Sequence, residues 1–205
     1  MTIDTTPHAA HRPITAIRLT GGRVCLDFVN TVDDRVAPTA EDYIATPARY
    51  LEWAVHAGAI DAAEQARAAA PATDGAALMR DVHALREALY AVFVARAEGK
   101  PAPAAAIACL DIWVHRAWGG LALGRDGRLA WNEDAIDAWL PLKRIALSAL
   151  DLLQEPDAGR LKLCAATGNC GWLFLDTSKN NSRRWCAMET CGTTHKMARY
   201  RDKAR

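Results

Sequence analysis

Four of the chain's six cysteines, Cys164, Cys170, Cys186 and Cys191, fall in the last fifth of its 205 residues. Thiols gathered this way can ligate a metal, pair as disulfides or sit buried as small hydrophobes. The spacing Cys-x5-Cys-x15-Cys-x4-Cys makes two close pairs on separate loops. Such pairs can converge on one tetrahedral Zn2+. Both loops are longer than the usual two-residue knuckle, so spacing alone leaves the alternatives open. A catalytic zinc would need an open coordination position and a nearby acid–base group. Glu189 lies between the second pair, yet the deaminase pattern of His-x-Glu followed by Pro-Cys-x-x-Cys is absent. Four thiolates close the shell, and the reading is one structural zinc per chain.

The neighbourhood of the cysteines is cationic. From Arg160 onward the chain carries ten Lys and Arg against three Asp and Glu, a net of +7, which leaves −6 on the first 159 residues. A basic tail on an acidic body is the pattern of a polyanion-binding module, or blandly of a solvated surface. Lys179, Arg183 and Arg184 lie between the cysteine pairs, the two arginines as candidate phosphate clamps. After Cys191, "TTHKMARYRDKAR" can form a helix capped by Thr193 or Thr194, with Lys196, Arg199 and Lys203 along one face. Such a stripe can neutralise DNA phosphates or enter the major groove. Trp185 can stack on a base but is better read as packing over the metal, and His195 as a surface residue rather than a ligand.

In the body, a polar Asn among the apolar residues of "LDFVNTVDDR" needs partners. Asn30 and Arg35, helped by Arg86, could grip a small anionic or polar effector; the competing reading is a buried polar brace. Trp53, Trp113, Trp118, Trp131 and Trp139 read as core, Cys25 and Cys109 as buried hydrophobes. The chain has no Walker motif, GxGxxG, GxSxG or HExxH, so no catalytic residue is assigned and no enzyme is expected.

These groups must be held by elements that periodicity partly reveals. Residues 1–15 read as a flexible leader, 16–156 as a helical domain and 160–205 as a small four-cysteine finger. The fold class is mostly α with a small β component. "RVCLDFVNTV" alternates like a strand after a Gly21-Gly22 turn. "TPARYLEWAVHAGAI" is a helix with Thr46 as N-cap, Pro47 at its first position and Gly58 as its stop. Leu78, Val82, Leu85, Leu89, Val92 and Phe93 mark a long helix ending at Gly99. "IACLDIWVHRAW" predicts another, and "LALGRDGRLAW" a hairpin. Residues 132–156 predict a long helix capped by Asn132 and kinked at Pro141. "WLFLDTS" supplies a strand between the cysteine pairs. No apolar run approaches the ~20 residues of a membrane span. The polar start lacks a signal-peptide pattern, so a cytoplasmic, reducing location is expected.

Residues 160–205, through "CGWLFLDTSKN" and "SRRWCAMETCG", resemble the CGNR zinc finger. Residues 17–155, through "LDFVNT" and "LREALYAVF", resemble the ABATE domain that precedes it. The resemblance implies a bacterial transcription regulator whose finger binds DNA, with Cys164, Cys170, Cys186 and Cys191 as zinc ligands. A small-molecule effector and a homodimer reading paired half-sites fit that picture. Two departures stand out: Thr193-Thr194 replaces the Asn-Arg of the family's name, and the first knuckle is one residue longer. The alternatives are a zinc-stabilised protein-interaction module, or a ligand-binding or enzymatic body with the finger as scaffold.

Overall fold

The computed structural model describes residues 12–35, 40–69, 73–155, 158–166 and 170–197. Among the described residues, the helices α1 (Val24–Val29), α2 (Pro47–His56), α3 (Ala62–Ala68), α4 (Gly75–Ala97), α5 (Ala104–Gly119) and α6 (Leu140–Gln154) are accompanied by two small hairpins. The strands are β1 (Leu121–Leu123), β2 (Leu129–Trp131), β3 (Leu161–Leu163) and β4 (Leu173–Leu175), paired antiparallel as β1–β2 and β3–β4. The fold is mostly α with a small β component.

Local chemistry explains most boundaries. Thr46 Oγ1 accepts from Arg49 N at the start of α2, with Pro47 next, and Gly58 follows the helix at φ 69°. Asp61 and Glu64 form a reciprocal capping box on α3, and Asp74 accepts from Ala76 N and Ala77 N to start α4. All six apolar residues expected along α4 are buried. The β1–β2 hairpin turns through Gly127 at φ 75°.

Three expectations are corrected. Residues 24–29 form α1, not a strand. Four of the six side chains, Cys25, Leu26, Phe28 and Val29, are buried, so the run carries no periodicity to separate helix from strand. Asp27 decides it by folding back to accept from Gly21 N at 2.8 Å. Pro141 does not kink a long helix. It stands in the first turn of α6, where its missing N–H has no intrahelical partner to lose, and Asn132 precedes only the short 3-10 turn Glu133–Ala135. The expected leader of residues 1–15 is corrected at its end, where Ile14 is buried; residues 1–11 lie outside the described residues.

Helices α4, α5 and α6 pack in succession, α1 lies against α4 and α6, and β3 lies on α4. Leu161, Leu173 and Leu175 join the same buried cluster as Leu26, Leu85 and Leu89. The β3–β4 hairpin is therefore part of the body's core, not a bead on a linker. Burying each such leucine contributes about 1.5–3 kcal/mol.

Candidate metal centre and its surroundings

Strand β3 runs directly into Cys164, whose N–H donates to Trp172 O at 2.8 Å, extending the hairpin past its last paired residue. Cys170 precedes β4. The chain returns through Ala165 N–H to Arg184 O at 2.9 Å, setting Cys186 beside Cys164, and its N–H reaches Cys164 Sγ at 3.4 Å. A wide π-type turn, Met188–Gly192, delivers Cys191. Gly192 packs closely under the Met188 side chain in this turn.

The four Sγ atoms lie within 4.8 Å of one another, with Cys186 at 3.6 Å from both Cys170 and Cys191. A tetrahedron with Zn–S bonds of about 2.3 Å places its sulfurs about 3.8 Å apart. The two 3.6 Å separations lie close to that figure, and both are far too long for a covalent S–S bond of about 2.0 Å. Hydrogen bonds from Cys170 and Cys186 pull the Cys164 thiol well down, and those same contacts with Cys164, plus burial, push Cys170 and Cys186 up. Crowded thiols resist ionising together, because each thiolate formed disfavours the next. A divalent cation is what lets all four ionise together, so the donor set fits one structural zinc held by Cys164, Cys170, Cys186 and Cys191. Phe174, Trp172 and Trp185 cover the cluster, and His195 packs near the Trp185 ring at 5.7 Å. Cys25 is buried and Cys109 half-buried, both away from the metal centre.

Asp176 organises the loop between the pairs. Its fully buried carboxylate accepts from Lys162 Nζ at 2.7 Å, Ser178 N at 2.9 Å and Arg183 N at 2.7 Å. Burial alone would raise its pKa, but the Lys162 ammonium and the Ser178 and Arg183 donors outweigh it and hold the carboxyl well below its ordinary 3.8. A depressed folded pKa stabilises above the unfolded value and is lost as pH falls through the folded one. Asp176→Asn is thus expected to lower the urea midpoint by a constant amount at neutral pH. Its gap to the parent should narrow only below about pH 4, as followed by fluorescence-monitored unfolding across pH.

The candidate phosphate clamps part company. The Arg183 guanidinium lies 4.4 Å over Phe174 and donates to Trp185 O, Cys186 O, Leu175 O and Thr20 O. It braces the second knuckle. Arg184 points outward, 5.4 Å over the Trp185 ring, and Lys179 and Lys196 are exposed. The helical stretch after Cys191 begins without a Thr cap: Thr193 is already helical, and its Oγ1 donates to Met188 O at 3.1 Å. Arg199 and Lys203 lie outside the described residues.

The three candidate effector contacts are engaged elsewhere. Asn30 sits 2% exposed at the end of α1 and exchanges two hydrogen bonds with Leu173 on β4, Nδ2 to O at 2.8 Å and N to Oδ1 at 2.9 Å. It acts as one extra residue of sheet. Arg35 donates to Val29 O and Glu87, stacks 4.0 Å over Tyr90, and its backbone N–H holds Cys170 O. Arg86 makes a two-pronged contact with Asp42 at 2.7 and 2.8 Å and reaches Thr31. The brace reading accounts for every one of these donors. Trp172 Nε1 to Val32 O and Tyr90 Oη to Gly171 O, both at 3.0 Å or less, add two further ties from body to knuckle. Spacing gave no sign of those partners. Asp176 did leave one: Asp-x-Ser is an Asx-turn signature, and Asp176 Oδ1 does accept from Ser178 N.

With this geometry in place, comparison with known families is informative. A family model named ABATE, described as "Putative stress-induced transcription regulator", matches residues 22–156, about two-thirds of the chain. The chain belongs to the ABATE family. A second model, the CGNR zinc finger, matches residues 160–204 and contains all four cysteines. The two matches of this ABATE protein meet between α6 and β3. No curated protein matches the chain. Among the described residues no helix is long and apolar enough to cross a membrane.

Proposed function

We propose that this ABATE protein is a non-enzymatic cytoplasmic transcription regulator. Its zinc finger grips the DNA backbone, and its body senses a small ligand or mediates oligomerisation. One observation carries the DNA reading. The tail's cations Lys179, Arg184 and Lys196 are exposed, whereas Asp176 is buried against Lys162 and Glu189 faces Arg18. Among the described acids of the tail, Asp176 is buried and paired, which leaves only Glu189 exposed beside these cations. Of the four basic residues that follow Lys196, Arg199 and Lys203 continue its spacing in sequence.

The test is anisotropy on labelled DNA duplexes across a salt series. Arg184→Ala and Lys196→Ala are each expected to flatten the plot of log K against log[salt] by about 0.9 while leaving the melting temperature unchanged. Arg183→Ala should lower the melting temperature, because its guanidinium closes the knuckle. Binding that ignores salt would end the DNA reading. The protein-interaction alternative draws on a different surface: Ile107, Ile112, Trp118, Leu123 and Leu129 are each more than two-fifths exposed along α5 and the β1–β2 hairpin. Self-association through exposed apolar side chains of this kind fits a dimer reading paired half-sites.

A further inference from the structure

A cleft of about 260 Å³ separates the body from the zinc finger. Its body wall carries Arg12, Arg18, Thr20, Asp33 and Tyr43, and its finger wall Trp172, Thr190 and the sulfur-bearing residues Cys170, Cys186 and Cys191. Neither Asn30, Arg35 nor Arg86 lines it.

Two features mark it as built for a ligand. Thr20 Oγ1 is buried without a hydrogen-bond partner, and a buried unpaired hydroxyl costs about 1–3 kcal/mol unless something supplies the bond. Arg18, on the rim, makes only a loose 3.5 Å contact with Glu189, both side chains more than half exposed, so its guanidinium can turn to another carboxylate at small cost.

Charge sorts the ligand's chemistry. Residues of both signs line the cleft: Arg12 and Arg18, and Asp33, which with Arg12 also bonds the Tyr43 hydroxyl, together with the thiolate sulfurs, which around zinc carry a net negative charge. A plain anion would meet the sulfurs and a plain cation the arginines. Apolar surface from Ile17 and Trp172 completes the lining. The volume lies just below the ~300 Å³ at which drug-sized ligand pockets begin, so only a small molecule fits.

We infer that this cleft binds a small zwitterion of the amino-acid type. Its carboxylate pairs with Arg18 or Arg12, its ammonium with Asp33, and Thr20 supplies a third polar contact. The site rests on the sensing half of the proposed function and gives it a place. Because body and finger each supply a wall, a bound ligand stabilises the arrangement in which the finger is docked.

The experiment uses the zinc-loaded full chain and the twenty common L-amino acids, one at a time, in thermal-shift and calorimetric titrations. At least one should raise the melting temperature by about 5–10 °C at 100-fold over its Kd. Its N-acetyl and carboxamide forms, each lacking one charge, should bind at least tenfold more weakly. Thr20→Val should weaken binding about five- to tenfold with one zinc retained and an unliganded melting temperature no lower than the parent's, since the hydroxyl holds no bond to lose. Arg18→Gln should weaken binding about tenfold or more. Absence of a response to all twenty, equal binding of the singly charged forms, or an unchanged Kd in both variants overturns the site. DNA binding by the unaltered protein without amino acid is scored separately. A ligand response in a protein that fails to bind DNA supports this site while ending the DNA reading.

Discussion

Cys186→Ser is expected to abolish zinc binding and lower the stability of the entire chain, not only of its last forty residues. Cys186 is the hub of the cluster: its sulfur stands 3.6 Å from two ligands, and its N–H donates to a third. With three ligands left, the thiolates lose the cation that offsets their repulsion. A structural zinc site contributes about 10–16 kcal/mol, comparable with the ~5–15 kcal/mol that separates a folded domain from its unfolded state. The loss is not uniform, because Leu161, Leu173 and Leu175 are held in the body's core independently of the metal. Hydrogen exchange on zinc-free protein should show protection lost around residues 164–166, 170–172 and 184–197 but partly kept in β3 and β4. A variant that still binds one zinc per chain by elemental assay, or equal loss across β3–β4, would contradict this picture.

Asn30→Leu is expected to destabilise the protein by about 3–5 kcal/mol and to speed zinc release. The substitution is close to isosteric, so packing is little changed. What it removes is the pair of hydrogen bonds to Leu173, leaving one buried N–H and one buried C=O without partners, each costing about 1–3 kcal/mol. Asn30→Asp should be worse. Its second oxygen would face Leu173 O, and its charge would be buried without a partner. Urea unfolding gives the stability, and a chromogenic chelator gives the zinc release rate. An effector contact, by contrast, could be replaced with little change in either, so a variant as stable as the parent would refute the brace.

Zinc ligation, the basic tail and most helix limits were readable because each depends on residues close in sequence. Four cysteines in two close pairs made a metal the leading reading, and the resemblance of the surrounding motif to the CGNR zinc finger favoured zinc. Thr46-Pro47 and the apolar rhythm of α4 act within one or two turns of chain. Misreadings arose where burial was complete or the partner distant. The segment of α1 is apolar on nearly every side because α4 and α6 both cover it, so it lost the polar face that marks a helix. Pro141 looked like a kink only because the preceding Glu133–Ala135 turn resembled a helix start.

Residue type told that Arg183 is cationic and Asn30 polar, but not where those groups would be satisfied. Arg183 is turned inward by Phe174 and four carbonyl oxygens, leaving Arg184 outside. Asn30 bonds to a strand 143 residues away. Sequence alone showed four cysteines able to hold one metal and a net positive charge gathered at one end. Tertiary structure decided that body and finger share one core with a polar cleft between them, because burial and hydrogen-bond pairing depend on which distant segments meet.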